Sequence, residues 1–301
     1  MEIGSQSKSD NQFTKKYRLI QSKYRAEILK VPCGVGPTKN SDKTYGNMLS
    51  NGEQSGLNFI SKNAFEFAKQ KNLDKQINPD LTIDEFRLFN NMLSSMPMCF
   101  NLFGDLRALL LHDQKAVSKV IKEMFQEINW ISKVKYIDVE FIPVPIGNYT
   151  NDKSAFDAMI LVEDENGKKG LISIETKYTD LLGSNTSKNT ELKDEIITKN
   201  KIFNNSYTKS LLENGYQQLH RNYLLTYAYA KKHNFKHFSN VVVSPADDKL
   251  SLEEIDLMKK NLLLKEETIF KISLEDIVER AIKANLPEVS EIMIKFKQRY
   301  F

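Results

Sequence analysis

Residues 154 to 180 read SAFDAMILVEDENGKKGLISIETKYTD, and this stretch limits the fold more than any other. Two apolar runs flank ENGKKG, a polar turn containing glycine. Runs of this length around such a turn predict a β-hairpin. A hairpin fixes register, and register decides which charges meet. Residues i and i+2 of a strand share a face. Ser173, Glu175 and Lys177 therefore point one way, and Ile172, Ile174, Thr176 and Tyr178 the other. The partner strand brings Asp157 alongside Glu175. Buried charges are expensive unless something pairs with them. Either the three charges form an exposed cross-strand pair of little energetic weight, or they hold a charged ligand.

The sequence around the hairpin sets the fold class. KYIDVEFIPVPI (135–146) alternates and reads as a strand before the hairpin. NGYQQLHRNYLLTYAYAKKH is helical, and the β-branched run FSNVVVSP after it reads as a buried strand reached through a helical crossover. Upstream, NAFEFAKQK, TIDEFRLFNNML, FGDLRALLLHD and AVSKVIKEMFQEI carry helical periodicity. Thr82 and Glu85 fit a capping box. In the last of these segments Val117, Val120, Ile121, Met124 and Ile128 form the apolar stripe. MPMCFNLFGDL reads as a helix entry with Phe100, Leu102 and Phe103 in the core, and carries no chemistry. Residues 1 to about 20 are expected to be loosely attached. The segment 31–56 reads as loops, and its GVGP lacks the rest of a phosphate-binding motif. The polar stretch from Leu181 to Ser210 is too long for a turn, which suggests a lid or an insertion. The tail carries at least one amphipathic helix. The expected division is an N-terminal extension (1–95), a core (96–250) and a C-terminal helical segment (251–301) of the same domain.

Composition narrows the classes. The chain has 301 residues, 41% of them hydrophobic, so a core can form without staples. Cys33 and Cys99 are the two cysteines and no His cluster accompanies them, so disulfide and thiolate-metal frameworks are not expected. No run of 18 apolar residues and no apolar leader is present, and a cytoplasmic protein without a membrane partner is expected. A net charge of +4 permits a nucleic-acid partner without demanding one.

Two apposed carboxylates repel, and one is driven to keep a proton unless a cation intervenes. Oxygen ligands suit Mg²⁺ or Mn²⁺, which complete their shell with water and substrate phosphate. A lysine beside them can hold the attacking water and stabilise developing negative charge. These residue types suit phosphodiester hydrolysis.

The spacing FDAMILVEDENGKKGLISIETKY resembles the Asp–spacer–Glu-x-Lys motif of the PD-(D/E)XK nuclease superfamily. With MCFNLFGDL, SAFDAMI, GLISIETKYTD and QLHRNYLL in this order, the chain is similar to a bacterial family classed with the restriction endonucleases, from about residue 20 to 245. The resemblance implies an α/β restriction-endonuclease-like fold: an αβα core, a mixed central sheet and an N-terminal helical extension. It implies a DNA endonuclease, in restriction or defence, that leaves 5′-phosphate and 3′-hydroxyl ends. Asp157 and Glu175 would bind Mg²⁺ or Mn²⁺, Lys177 would assist the nucleophile, and the Thr176 carbonyl would add a ligand. Glu140 is the candidate for a further acid, with Glu123 and Glu127 behind it. The family continues its third strand into Glu where this chain has Asp180, which keeps the charge but shortens the reach. Gln218, Arg221 and Asn222 share one helical face. Arg221 would clamp a phosphate and the two amides would bond to substrate or water, or the three would form a network that supports the fold. His220, Tyr223, Tyr227 and Tyr229 read as packing. Double-strand cleavage from one centre per chain would imply a homodimer. A non-catalytic nucleic-acid binder and an RNA-directed nuclease are the alternatives.

Overall fold

The computed structural model describes residues 1–180, 182, 186, 190–264 and 268–301. Chain order begins with α1 (Gln12–Lys23), prolonged by a π-helical turn, and a two-stranded ribbon of β1 (Gly34–Val35) and β2 (Thr44–Tyr45). Helices α2 (Gly52–Ser55), α3 (Lys62–Ile77), α4 (Glu85–Asn90), α5 (Ser95–Leu110) and α6 (Gln114–Met124) follow. The central strands are β3 (Lys133–Phe141), β4 (Phe156–Glu163) and β5 (Lys169–Thr176). Then come α7 (Glu191–Lys199), α8 (Asn205–Asn214), α9 (Gln218–Lys232), β6 (His237–Ser244), α10 (Lys249–Asn261), β7 (Ile269–Ser273), α11 (Leu274–Lys283) and α12 (Pro287–Tyr300).

The strands pair in the order β3-β4-β5-β6-β7. The first three are antiparallel, and β5, β6 and β7 run parallel. Parallel pairing needs a crossover, and α9 lies in the one between β5 and β6. The β4–β5 hairpin closes because the Asp164 carboxylate accepts from the amides of Asn166 and Lys168, both at 2.8 Å. Gly167 supplies the φ of +72° that the turn requires.

The sheet is covered on both faces. On one, Ile172, Ile174, Val241 and Val243 pack in a cluster with Phe100 and Phe103 of α5, Val120 and Ile121 of α6, Ile277 of α11 and Phe296 of α12. On the other, Leu219, Tyr223 and Leu224 of α9 join Ile197, Leu211, Val242 and Ile255. α5 passes close to α3, since a Cβ on Gly104 would stand 2.8 Å from the Ala64 Cα.

The hairpin, the crossover and the buried Phe100, Leu102 and Phe103 stand as expected. Other expectations are corrected. The N-terminal residues are tied down, since Tyr17 is buried and Arg25 donates to the carbonyls of Glu2 and Ile3. Asp84, not Thr82, caps α4, so that helix is a short one. β3 ends at Phe141 rather than running to 146. Much of the polar stretch after Asp180 is helical, as α7 and α8, because Ile197, Ile202, Phe203 and Leu211 give it an apolar side. Leu181, Gly183 to Asn185 and Ser187 to Asn189 of that stretch lie outside the described residues. β7 and α10 went unread in the sequence, and the tail forms two helices.

Candidate active site

Strand register lines up three acids. Ala158 pairs with Ile174, so the next rung sets Asp157 against Glu175. Val139 pairs with Ala158 and Phe141 with Phe156, so Glu140 falls on the rung of Asp157. Neighbouring strands are about 4.8 Å apart. Glu140, Asp157 and Glu175 therefore stand abreast on three adjacent strands, at the end of the sheet where β5 gives way to Lys177.

Glu140 also marks a break in the strand. Its φ is +51°, the left-handed region that side-chain-bearing residues avoid. Such a conformation costs on the order of 1–3 kcal/mol. It breaks the alternation of β3: Ile137 and Val139 face the α5 cluster, but Phe141 packs on the opposite one. Asp138 instead pairs with Lys71 at 2.8 Å. Glu140 is 7% exposed and makes no hydrogen bond or ion pair among the described residues.

Glu175, 2% exposed, is held on three sides. Its Oε1 accepts from Lys177 Nζ at 2.8 Å and from Gln218 Nε2 at 2.6 Å, and its Oε2 accepts from Asn222. Lys177 Nζ also donates to Gln218 Oε1 at 2.8 Å. That network fixes the Gln218 amide in one sense, oxygen to the ammonium and nitrogen to the carboxylate. Asp157 Oδ2 accepts from the Thr176 amide at 2.8 Å and its hydroxyl at 3.0 Å, while Oδ1 has no bond among the described residues. The Cys99 thiol donates to the Asp157 carbonyl from below at 3.2 Å.

Electrostatics follow from burial and crowding. Burial first, then the charge of Glu175, raises the Asp157 carboxyl from 3.8 to about 7, against the pull of Lys177 and the Thr176 hydrogen bonds. Burial, then Asp157 and Glu175, lifts Glu140 well above the usual carboxylate range, with Arg87 and Lys71 opposing. For Lys177 burial works downward, but Glu175 and Asp157 outweigh it and the net shift is upward. Lys177 is an ammonium at neutral pH, a donor and not a base.

These groups open on a cleft of about 760 Å³. Arg87 and Met96 form one wall, the Asp152–Ala155 segment another, and Gln218, Arg221 and Asn222 of α9 a third. Gln218 and Asn222 are thus engaged with Glu175. Arg221 donates to the Tyr216 carbonyl at 3.0 Å and lines the cleft. Thr176 is fully buried beneath the cleft. Glu123 and Glu127 lie elsewhere, bonded to Gln126 and Arg280 respectively. His220 accepts from or donates to Tyr207 at 2.7 Å, and burial pushes it down to about 4. It packs as a neutral ring. Tyr223, Tyr227 and Tyr229 are buried. Arg87 was missed in the sequence: it lies far upstream of the motif, and no local pattern marks it.

The donor set suits a hard divalent cation, because all three acids offer oxygen and Glu140 is a buried carboxylate without a hydrogen-bond or ion-pair partner among the described residues. As the side chains stand, no group of three or more His, Cys, Asp or Glu among the described residues is placed to hold a metal ion. Asp157 and Glu175 are turned instead to the N–H donors of Thr176, Lys177, Gln218 and Asn222.

Comparison with known families gives a match to the PD-(D/E)XK nuclease superfamily over residues 8–301. Comparisons with curated proteins and with solved structures found no match. No helix among the described residues is long and apolar enough to cross a membrane. The family match covers nearly the whole chain, and the five-stranded mixed sheet between helices agrees with the restriction-endonuclease-like fold. The chain belongs to the PD-(D/E)XK nuclease superfamily, whose members are generally nucleases that use divalent metals.

Proposed function

We propose, from that membership, that the chain is a divalent-metal-dependent endonuclease that hydrolyses DNA phosphodiesters, leaving 5′-phosphate and 3′-hydroxyl ends. One observation carries the reading: three carboxylates, the buried Glu140 and Glu175 and the half-buried Asp157, share a rung of the sheet with a lysine ammonium at its end. Asp157, Glu175 and Glu140, with the Thr176 carbonyl, would hold Mg²⁺ or Mn²⁺. When bound, the cation would neutralise phosphate charge and make a water acidic enough to attack.

The chain's own groups do the rest. Lys177 Nζ has three protons, and Glu175 and Gln218 take two of them. The third is left for the attacking water or a non-bridging phosphate oxygen. Because Lys177 stays charged, it stabilises the negative charge that builds on that oxygen. Gln218 and Asn222 keep Glu175 from swinging away, and Thr176 does the same for Asp157. The walls of the cleft would exclude bulk water as the backbone enters. A cytoplasmic setting, a two-fold dimer and a role in restriction or defence against foreign DNA belong to the same proposal.

The test is incubation of plasmid, linear duplex, single-stranded DNA and RNA with Mn²⁺ or Mg²⁺, with the Lys177→Ala protein alongside. Cleavage of DNA that vanishes with chelator and in the variant supports the reading. Cleavage confined to RNA would move the substrate. No cleavage of any nucleic acid, together with salt-sensitive binding indifferent to metal, would favour a non-catalytic binder.

A further inference from the structure

We infer that Arg87 is a phosphate-binding subsite of the cleft, kept closed by Asp180 until a nucleic-acid backbone displaces that carboxylate. The inference rests on the nuclease reading for the identity of the ligand, a phosphodiester. Its evidence is separate. Arg87 lies on α4, outside the sheet, yet lines the same cleft as Glu140, Asp157, Glu175 and Lys177. Its charge acts on Glu140, where it is the foremost group opposing the upward shift of that carboxyl. Arg87 is therefore within electrostatic reach of the acids without touching them.

The guanidinium is aimed by what it touches. Nε donates to Ser94 Oγ at 2.8 Å, and Nη2 pairs with Asp180 Oδ2. Nη1 has no hydrogen bond among the described residues. The side chains of Arg87 and Asp180 are 39% and 47% exposed, so the pair stands at the cleft mouth rather than in its floor. An exposed ion pair adds little to stability. A guanidinium presents parallel N–H donors that match a phosphate's oxygens, and it binds phosphate bidentately where carboxylates around it would otherwise repel the anion. With Ser94 holding Nε, the Nη1–Nη2 edge remains for a phosphate, on condition that Asp180 leaves.

Asp180 gains an explanation by the same geometry. It follows the Glu-x-Lys motif, and its acidic charge suggests a further metal ligand. Its carboxylate is instead engaged with Arg87. Asp180 acts as an internal stand-in for the substrate's phosphate and competes with it.

The experiment is equilibrium binding of a short fluorescein-labelled DNA duplex, followed by anisotropy across a salt series with EDTA present, so that no turnover is needed. Arg87→Ala should bind roughly tenfold more weakly, the loss expected for one charge-assisted contact. It should also lower the slope of log affinity against log salt by about one. Arg87→Lys, which keeps the charge but not the fork, should retain the slope and lose only part of the affinity. Asp180→Asn removes the competitor and should bind a few-fold more tightly. Thermal unfolding is run on each variant, and if Arg87→Ala does not fold, the other two decide the matter. Wild-type affinity and slope in Arg87→Ala, or weakened binding in Asp180→Asn, would overturn the subsite, since the pair would then be a surface brace. A wild-type protein that binds DNA through Arg87 but never cuts it would sink the catalytic reading and leave the subsite standing.

Discussion

Replacing Asp157 with Asn should stabilise the metal-free protein at alkaline pH while abolishing its response to Mg²⁺. Asp157 has a carboxyl raised from 3.8 to about 7, by burial and by Glu175. The sign follows from proton counts. Below the unfolded value both states hold the proton and no penalty exists. Between the two values the unfolded chain ionises while the folded chain keeps its proton, so stability falls as pH rises. Above about 7 the full penalty is present. At 1.36 kcal/mol per pH decade this gap corresponds to about 4 kcal/mol, and protonation of Glu140 relieves part of it, leaving about 2–4 kcal/mol. The asparagine oxygen can still accept from Thr176, and the amide carries no charge for Glu175 to repel. The assay is urea unfolding in EDTA at about pH 5 and about pH 8 for both proteins, read as the difference between them. Only the part of the gap between about pH 5 and about 7 falls in that interval, so the variant's advantage should grow over it by about 1.5–3 kcal/mol. Excess Mg²⁺ should then raise the wild type's stability and leave the variant unmoved. A difference between the two proteins that does not change with pH would refute the reasoning, because it would mean that Asp157 is not crowded by its neighbours.

Lys177→Ala should lower kcat by at least about 100-fold, with Mg²⁺-induced stabilisation retained, as measured by single-turnover cleavage and thermal shift. Gln218→Ala and Asn222→Ala should each cost about 10–100-fold in metal affinity or activity by freeing Glu175, with the fold intact by circular dichroism; wild-type metal affinity and activity in both would show that those amides do not position it. Glu140→Gln should weaken Mg²⁺ binding in calorimetry, whereas Glu127→Gln, on the far-off pair with Arg280, should not.

Local periodicity made the hairpin and the crossover legible before any coordinates, because a two-residue period and a polar turn are written in adjacent residues. The same logic put Ser173 and Glu175 on one face: Ser173 meets Thr226 at 2.6 Å and Glu175 meets Asn222, both on α9. Glu140 was marked as a candidate, but its facing was not readable. Alternation from Val139 sets it on the side of Asp157 and Glu175, but its own positive φ throws the next residue, Phe141, out of that alternation. Helix caps compete over a few residues, which is why Asp84 could displace Thr82. β7 is only five residues long, and its sequence IFKIS carries too little pattern to separate it from the helices around it. Contacts between distant segments left no trace in the sequence at all. Arg87 reaches Asp180 across 93 positions, and the amides of Gln218 and Asn222, read as substrate or water contacts or as a supporting network, grip Glu175.

The crossover helix has one more consequence. Glu175 ends up on β5, but its two amide holders arrive on α9, 43 and 47 positions later. α9 packs against β5 and against β6, the parallel strand it leads into. A polypeptide interrupted before Gln218 would own every acid and the lysine, yet its Glu175 would keep only Lys177 of its three holders. The setting of that acid thus depends on the crossover helix as much as on the strand that carries it.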